Sequence, residues 1–392
     1  MTSKNDKDKQ PQYWEHGHLS FSGGGFIGIY HVGVVLAFKE FAPHIASRKA
    51  LGTSSGALAS TCLAAGYPVY QAISGINQMA VHCRSLSFGP LNPRFNMAEI
   101  IRTYLQEHLP KDAHKRCSGK LFISTTRVIT LTNKVFTEFE SRDELIEVLL
   151  ASCFIPYFLG LVPPKVRGVS YIDGGITDNL QIHDENTITV SPFAGIAIIR
   201  PQSSNPFLSD IVYTPENAIR IPRTIFAPPP KVLEDICQQG YADALRFIRE
   251  HDLFACDDCA QLASRPVRGD CSKCQAFIEN SLKARVQPYY VQTLRDAQAA
   301  EDAADAANPY QYKPLMRIMN FLRAIAYLPA DAAIVATVKA SHWWSEIVDM
   351  IKRSLENGFV GMCNYARKFL RAQQTSDMCG GPTTAFEGES SR

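Results

Sequence analysis

The pentapeptide Gly52-Thr53-Ser54-Ser55-Gly56 has the Gly-x-Ser-x-Gly form, which marks a sharp bend between a strand and a helix that lifts a serine hydroxyl out of the surrounding packing. Gly52 and Gly56 leave no Cβ to clash in that bend. Ser54 at its apex is a candidate nucleophile for acyl chemistry. Residues 57–65 are small or apolar and suit a helix, with Gly66 where a C-terminal cap belongs. The N-terminus of such a helix points unpaired N–H groups at the Ser54 oxygen, where an anionic intermediate gains from them.

A serine nucleophile also needs donors for the developing oxyanion and a base. Gly23-Gly24-Gly25-Phe26-Ile27-Gly28 follows the alternating, strand-like His18–Ser22 and precedes an apolar helix expected from Ile29 to Phe41. N–H groups in a glycine-rich turn can converge on one point, and those of Gly24 and Gly25 are candidate oxyanion donors. The spacing also fits the dinucleotide fingerprint, which requires a carboxylate closing a second strand about 20 residues further on. Glu40, the carboxylate nearby, falls inside the helical pattern instead. On the residues alone, the glycines also suit a close helix–sheet contact. Asp173-Gly174-Gly175 ends the strand-like Val169–Ile172 and places a carboxylate at a sheet edge, where it can accept a proton; it also suits an ordinary turn. A Ser-His-Asp triad would need a histidine in a turn after a late strand. None of His18, His31, His44 or His183 stands in one, and His183 reads as a surface or structural residue.

Such residues must be held by alternating strands and helices. Leu121–Ser124 and Lys134–Phe139 read as strands, and Ser141-Arg142-Asp143-Glu144 as a capping box opening a helix that runs to Cys153. The chain has 392 residues, 46% hydrophobic and 20% charged, enough for one large core and a smaller appendage. A net charge of +2 gives no bulk attraction to nucleic acid. Residues 1–14 are polar and Lys-rich, an expected disordered leader rather than a secretory signal, and no run reaches the 18 or so apolar residues of a membrane span. A cytosolic protein is expected, and its eleven cysteines are then reduced thiols. Cys256-x-x-Cys259 and Cys271-x-x-Cys274 are spaced as a structural zinc knuckle closed by four thiolates, with redox or chance pairs as the alternative.

In order and context, the glycine-rich turn, the serine bend and Asp173-Gly174-Gly175 together resemble the patatin-like phospholipase family. Phe88-Gly89-Pro90-Leu91, Gly160-Leu161-Val162-Pro163-Pro164, Asp173 through Leu180 and Cys237-Gln238-Gln239-Gly240-Tyr241 are similar to its animal adipose triglyceride lipase/adiponutrin branch. The resemblance spans residues 15–255. It implies a Ser54–Asp173 dyad on a three-layer α/β/α fold, with Gly23, Gly24, Gly25 and Gly28 as the oxyanion stretch and no cofactor for catalysis. Two positions depart from the pattern. Thr53 stands where Ala is frequent and is expected to narrow the pocket; Gln181 stands where Pro is usual and is expected to loosen the segment that holds Asp173.

The expected organisation is a leader (1–14), a patatin-like domain (15–252), the knuckle (253–280), a mostly helical region (281–372) and a disordered tail (373–392). Residues 199–230 read as a long surface connection, 231–252 as a helix and 295–307 as a solvated helix or linker. Three amphipathic stripes between Leu315 and Leu370, with Trp343 and Trp344, suit either packing or a lipid interface. The resemblance further implies hydrolysis of acylglycerol esters, triacylglycerol foremost, by a cytoplasmic protein bound peripherally to lipid droplets or the ER membrane. It also implies an α/β-hydrolase-like coactivator as partner. Phospholipase A or acylglycerol transacylase activity, or a non-catalytic lipid-droplet scaffold, are the alternatives.

Overall fold

A mixed sheet carries the site: β1 (His18–Phe21), β2 (Ala50–Thr53), β3 (Leu121–Arg127), β4 (Asn133–Phe136), β5 (Lys165–Val166), β6 (Val169–Asp173) and β7 (Thr187–Val190). The computed structural model describes residues 11–307 apart from 87–88, 93–94, 157, 161, 203–214, 257, 263–270 and 282. The amphipathic stripes and the tail lie outside the described residues. β7, β1, β2 and β3 are parallel neighbours. Every residue of β1, β2 and β7 is buried, as parallel strands flanked by other elements require.

The helices are α1 (Tyr13–His16), α2 (Ile29–Phe41), α3 (Pro43–Ala46), α4 (Ser55–Ala64), α5 (Val69–Ser85), α6 (Met97–His108), α7 (Ala113–Cys117), α8 (Arg142–Cys153), α9 (Pro215–Ile225), α10 (Pro230–Glu250), α11 (Ser272–Ser281) and α12 (Pro288–Ala307). α2 matches its expected limits because eleven of its residues are buried, with Lys39 and Glu40 exposed near its end. α8 begins where its sequence signal lies: Ser141 Oγ accepts the Glu144 N–H at 3.1 Å, and the Glu144 carboxylate accepts the Glu140 N–H at 2.6 Å.

Pairing along β3 decides what meets at the site. Residues Ile123–Thr126 pair antiparallel with β4. Leu121–Ser124 also pair with β2, and Thr125–Arg127 also pair with β6. A strand has only two hydrogen-bonding edges, so β4 takes one while β2 and β6 follow each other along the other. Their C-terminal ends therefore meet: Thr53 lies opposite Ser124, and Asp173 lies opposite Thr125. Ser54 and Asp173 become neighbours through a register of backbone hydrogen bonds.

Behind the sheet, α2 and α10 pack backbone to backbone. A Cβ on Gly33 would run into the Cys237 carbonyl, and one on Gly240 into that of Tyr30. The buried Tyr30 hydroxyl donates to Asp243 Oδ2 at 2.8 Å, and Arg246 pairs with the same carboxylate at 2.9 Å.

Two expectations are corrected. The expected leader, 1–14, overlaps ordered chain, since the Gln12 N–H donates to Asn186 Oδ1 at 2.7 Å and α1 buries Tyr13 and Trp14. Residues 199–230 contain a helix, α9, whose Asn217 side chain is buried and bonded both ways to the Ala194 backbone. Residues 295–307 belong to α12 and are the solvated helix of the two alternatives, since from 295 to 303 every side chain is exposed or half-buried; the helix is seated by its N-terminal half and by Glu301. Val291 and Leu294 are buried, Asn77 Nδ2 donates to the Thr293 carbonyl at 2.8 Å, and Arg84 grips Glu301 with two bonds of 3.0 and 2.9 Å. The boundaries expected at 252 and 280 accordingly fall inside one compact unit.

Gly240→Ala forces α2 and α10 apart and is expected to cost about 2–4 kcal/mol, read as a lower urea midpoint with an unchanged m-value.

Candidate active site

Ser54 follows β2 and is the N-cap of α4, with φ 55° and ψ −128°, a conformation that costs a non-glycine residue about 1–3 kcal/mol. The bend fits only between glycines. A Cβ on Gly52 would strike the Gly56 carbonyl, and one on Gly56 the carbonyls of Phe21 and Ser22. The Ser54 carbonyl accepts the Ala57 N–H at 2.9 Å and so starts α4. Its N–H donates to Ser152 Oγ at 2.9 Å, and that hydroxyl donates to the Ser124 carbonyl at 2.7 Å. A serine from α8 thus bridges the strained residue to β3.

Asp173 is 6% exposed. The Gly175 N–H donates to its Oδ1 at 2.7 Å, and Thr126 Oγ1 donates to its carbonyl at 2.8 Å. Burial pushes the carboxyl up to about 6, against the downward pull of the Gly175 N–H and the Ser54 side chain. Burial also raises the Cys153 thiol beside Ser54 far above its ordinary range, so it stays neutral.

In the glycine-rich turn the four expected residues divide. The Gly23 N–H is taken by Asn179 Oδ1 at 2.9 Å. Gly24 and Gly25 head the turn Gly25–Gly28 with N–H groups that have no acceptor within the described residues, the state an oxyanion donor needs. Gly28 makes room for the Ser55 side chain. The Ser55 hydroxyl is buried without a hydrogen-bond partner, and the residue lines the same cavity as Ser54.

That cavity holds about 440 Å³ and takes in Gly23–Gly25, Ser54 and Asp173. Leu58, Ile76, Met79, Ile101, Leu105 and Phe158 give it an apolar wall drawn from α4, α5, α6 and the loop after α8. Among the described residues no His, Lys or Arg lines it. His31 is packed elsewhere: Nε2 bonds the Ser22 carbonyl at 2.8 Å, and burial lowers its pKa to about 4. His183 lies at the surface beside Lys49.

A model of the family described as patatin-like phospholipase matches residues 19–184, the span that holds the glycine-rich turn, Ser54 and Asp173. The rat "Patatin-like phospholipase domain-containing protein 2" is 34% identical over 364 residues, 89% of this chain and 76% of the relative. The chain belongs to the patatin-like phospholipase family. Two other members add to the comparison. The mouse "1-acylglycerol-3-phosphate O-acyltransferase Pnpla3" is 34% identical over 359 residues, 85% of this chain and 86% of its own. The human "Patatin-like phospholipase domain-containing protein 2" is 41% identical over 246 residues, 60% and 49% of the two chains.

Both departures from the patatin-like pattern act differently from expectation. Thr53 does not line the cavity; it is fully buried, and its hydroxyl donates to the Asp178 carbonyl at 3.1 Å. Gln181 is buried, and its Nε2 donates to the carbonyls of Gly52 at 3.0 Å and Phe122 at 3.4 Å. It ties the segment after Asp173 to β2 and β3 rather than loosening it. Ser152, Asn179, Ser55 and the contribution of α9 to the cavity were not legible beforehand. For Ser152, the only signal was a hydroxyl inside an otherwise apolar stretch of helix.

The raised pKa of Asp173 has a thermodynamic counterpart. From an ordinary value of 3.8 to about 6, the folded protein binds a proton that the unfolded chain releases. Stability therefore falls as pH rises through that window, by about 3 kcal/mol once the carboxylate forms. Asp173→Asn removes the titration, so its urea midpoint is expected to exceed that of the wild type at pH 8, with the difference shrinking toward pH 4.

Proposed function

We propose that this patatin-like protein is a serine acyl hydrolase acting on acylglycerol esters, triacylglycerol foremost, at a lipid–water surface. The observation that carries this reading is a buried carboxyl, its pKa raised to about 6, beside a strained serine in an apolar cavity with no histidine among its described lining residues. Ser54 Oγ attacks the ester carbonyl carbon as Asp173 takes its proton. The oxyanion that forms lies toward the Gly24 and Gly25 N–H groups, each worth about 3–4 kcal/mol when well placed. Collapse expels the alcohol, which leaves with the proton from Asp173, and an acyl-Ser54 ester remains. Water then attacks that ester with Asp173 again as base, and Ser54 recovers its proton as the fatty acid departs. No cofactor enters these steps, and none of the four clustered cysteines lines the cavity.

Support for a neutral lipid comes from the described lining residues, which offer an acyl chain apolar walls and offer a phosphate no cation. Support for work at a lipid surface comes from the rim. Ile155, Ile176 and Ile225 line the cavity yet are 42%, 57% and 38% exposed, and Phe226 beside them is 50% exposed. Such a rim suits peripheral docking on a lipid droplet or the ER membrane. No helix among the described residues is long and apolar enough to cross a membrane.

Acyl transfer is the second reading, favoured by the acyltransferase name of the mouse relative. It differs only in the second step, where an acylglycerol hydroxyl replaces water. A non-catalytic scaffold is the reading that forbids an acyl-enzyme altogether.

Fluorophosphonate labelling and hydrolysis of emulsified triolein are expected in the wild type, with both lost in Ser54→Ala and reduced at least 10³-fold on the order of other dyad or triad losses in Asp173→Asn. Triolein turnover should rise with pH along a limb near 6. A protein that takes no label and hydrolyses neither triolein nor phosphatidylcholine vesicles ends the hydrolase reading. Ile225→Asp with Phe226→Asp is expected to lower turnover of emulsified triolein at least tenfold while leaving a soluble short-chain ester nearly unaffected.

A further inference from the structure

The four cysteines expected as a knuckle converge although they come from two separate arms, one after α10 and one at the start of α11. All four Sγ atoms lie within 4.8 Å of one another, and Cys256 Sγ and Cys271 Sγ are 3.7 Å apart. A tetrahedral zinc with Zn–S bonds of about 2.3 Å has sulfur–sulfur edges of about 3.8 Å. A disulfide would need about 2.05 Å, and all four residues are free cysteines. The Cys256 N–H donates to Cys274 Sγ at 3.3 Å, the kind of donor that steadies a metal-bound thiolate from outside the ligand shell. Across the two arms, Lys273 Nζ meets Asp258 Oδ2 at 2.7 Å, which sets an ammonium beside a cluster that would carry two net negative charges with Zn²⁺ bound.

Among the described residues, hydrophobic burial contributes little in this part of the chain, where Ala260, Cys271, Cys274, Ile278 and Ala284 are only half-buried against the core. Among described side chains between 257 and 285, only Cys259 and Ser281 are buried. The stretch still connects two anchored elements. On one side, the Ala255 N–H donates to the Phe41 carbonyl at 2.9 Å, and Phe254 packs edge-on against Phe41. On the other, the Val286 N–H donates to Gln238 Oε1 at 2.9 Å, just before α12. α12 in turn grips α5, whose Ala72, Ile76 and Met79 line the cavity.

We infer that Cys256, Cys259, Cys271 and Cys274 hold one zinc ion in a closed four-thiolate site, which staples the connection between α10 and α12. Four sulfurs leave no open coordination position, so the ion is structural and takes no part in ester chemistry. Its effect reaches the cavity only through the seating of α12 on α5. The site stands whether or not the acyl hydrolase reading holds, because it rests on different residues.

The test is elemental analysis of the full-length protein purified without chelator, with cobalt substitution and hydrogen exchange alongside. One zinc per chain is expected, lost on Cys271→Ser with Cys274→Ser, and replacement by Co²⁺ should give the absorption of a tetrahedral thiolate site. Stripping the zinc with a strong chelator should raise amide exchange in residues 254–307 at least tenfold while β1–β3 stay protected, and added zinc should restore protection. The chelation arm does not require a variant to fold. Metal-free protein in which these four cysteines titrate as free thiols, iron in place of zinc, or two disulfides would overturn the site. One zinc whose removal leaves exchange in 254–307 unchanged would overturn the staple.

Discussion

A carboxyl group held out of water beside a serine sets the terms for the rest of this molecule. Desolvation raises the pKa of Asp173 toward neutrality, and an isolated buried charge would cost far more than the fold can bear. The chain limits that cost with short, fixed contacts. The Gly175 N–H reaches Oδ1, Thr126 holds the carbonyl, and the pairing of β6 with β3 fixes the backbone. The same edge of β3 carries β2 up to Ser54. One strand therefore aligns the two groups on which the proposed chemistry depends, without a side chain between them as a template.

Strain at Ser54 is supported in the same way. Its backbone conformation is tolerable because Gly52 and Gly56 admit the bend and because Ser152 links its N–H to β3. Thr53 and Ser124 both donate to the Asp178 carbonyl, and Gln181 donates to Gly52 and Phe122. The loop after Asp173 is thus bound to the strand that delivers Ser54. A shift of either loop by one residue would break several buried hydrogen bonds at once, each expensive to leave unmade. This interlock gives a rigid polar centre within an apolar cavity, the setting in which oriented dipoles act most strongly.

The region from α10 to α12 is held by different means. α2 and α10 approach through Gly33 and Gly240, and α12 is seated by ion pairs and a side-chain amide bond to backbone. Between these contacts the described residues bury little. A metal staple is the economical physical alternative where a core is lacking.

Much of this was legible beforehand. Residue type and local spacing mark Ser54, Asp173, the glycine-rich turn and the four cysteines as candidates, because a tight bend, an oxyanion turn and a thiolate site would each demand particular residues at particular intervals. The limits of α2 and the cap of α8 are likewise local matters of periodicity and side-chain reach. Ser152, Asn179 and the true roles of Thr53 and Gln181 were not, since each acts on a partner 98 to 156 positions away or, for Thr53, 125 positions away. α9 carries little local signal for a related reason: proline weakens it, and the pairing of Asn217 with the Ala194 backbone supplies what propensity does not. Sequence alone determined which groups this protein has available for chemistry. Tertiary structure alone decided that β2 and β6 share an edge of β3, because strand register depends on hydrogen bonds between segments that carry no mark of one another.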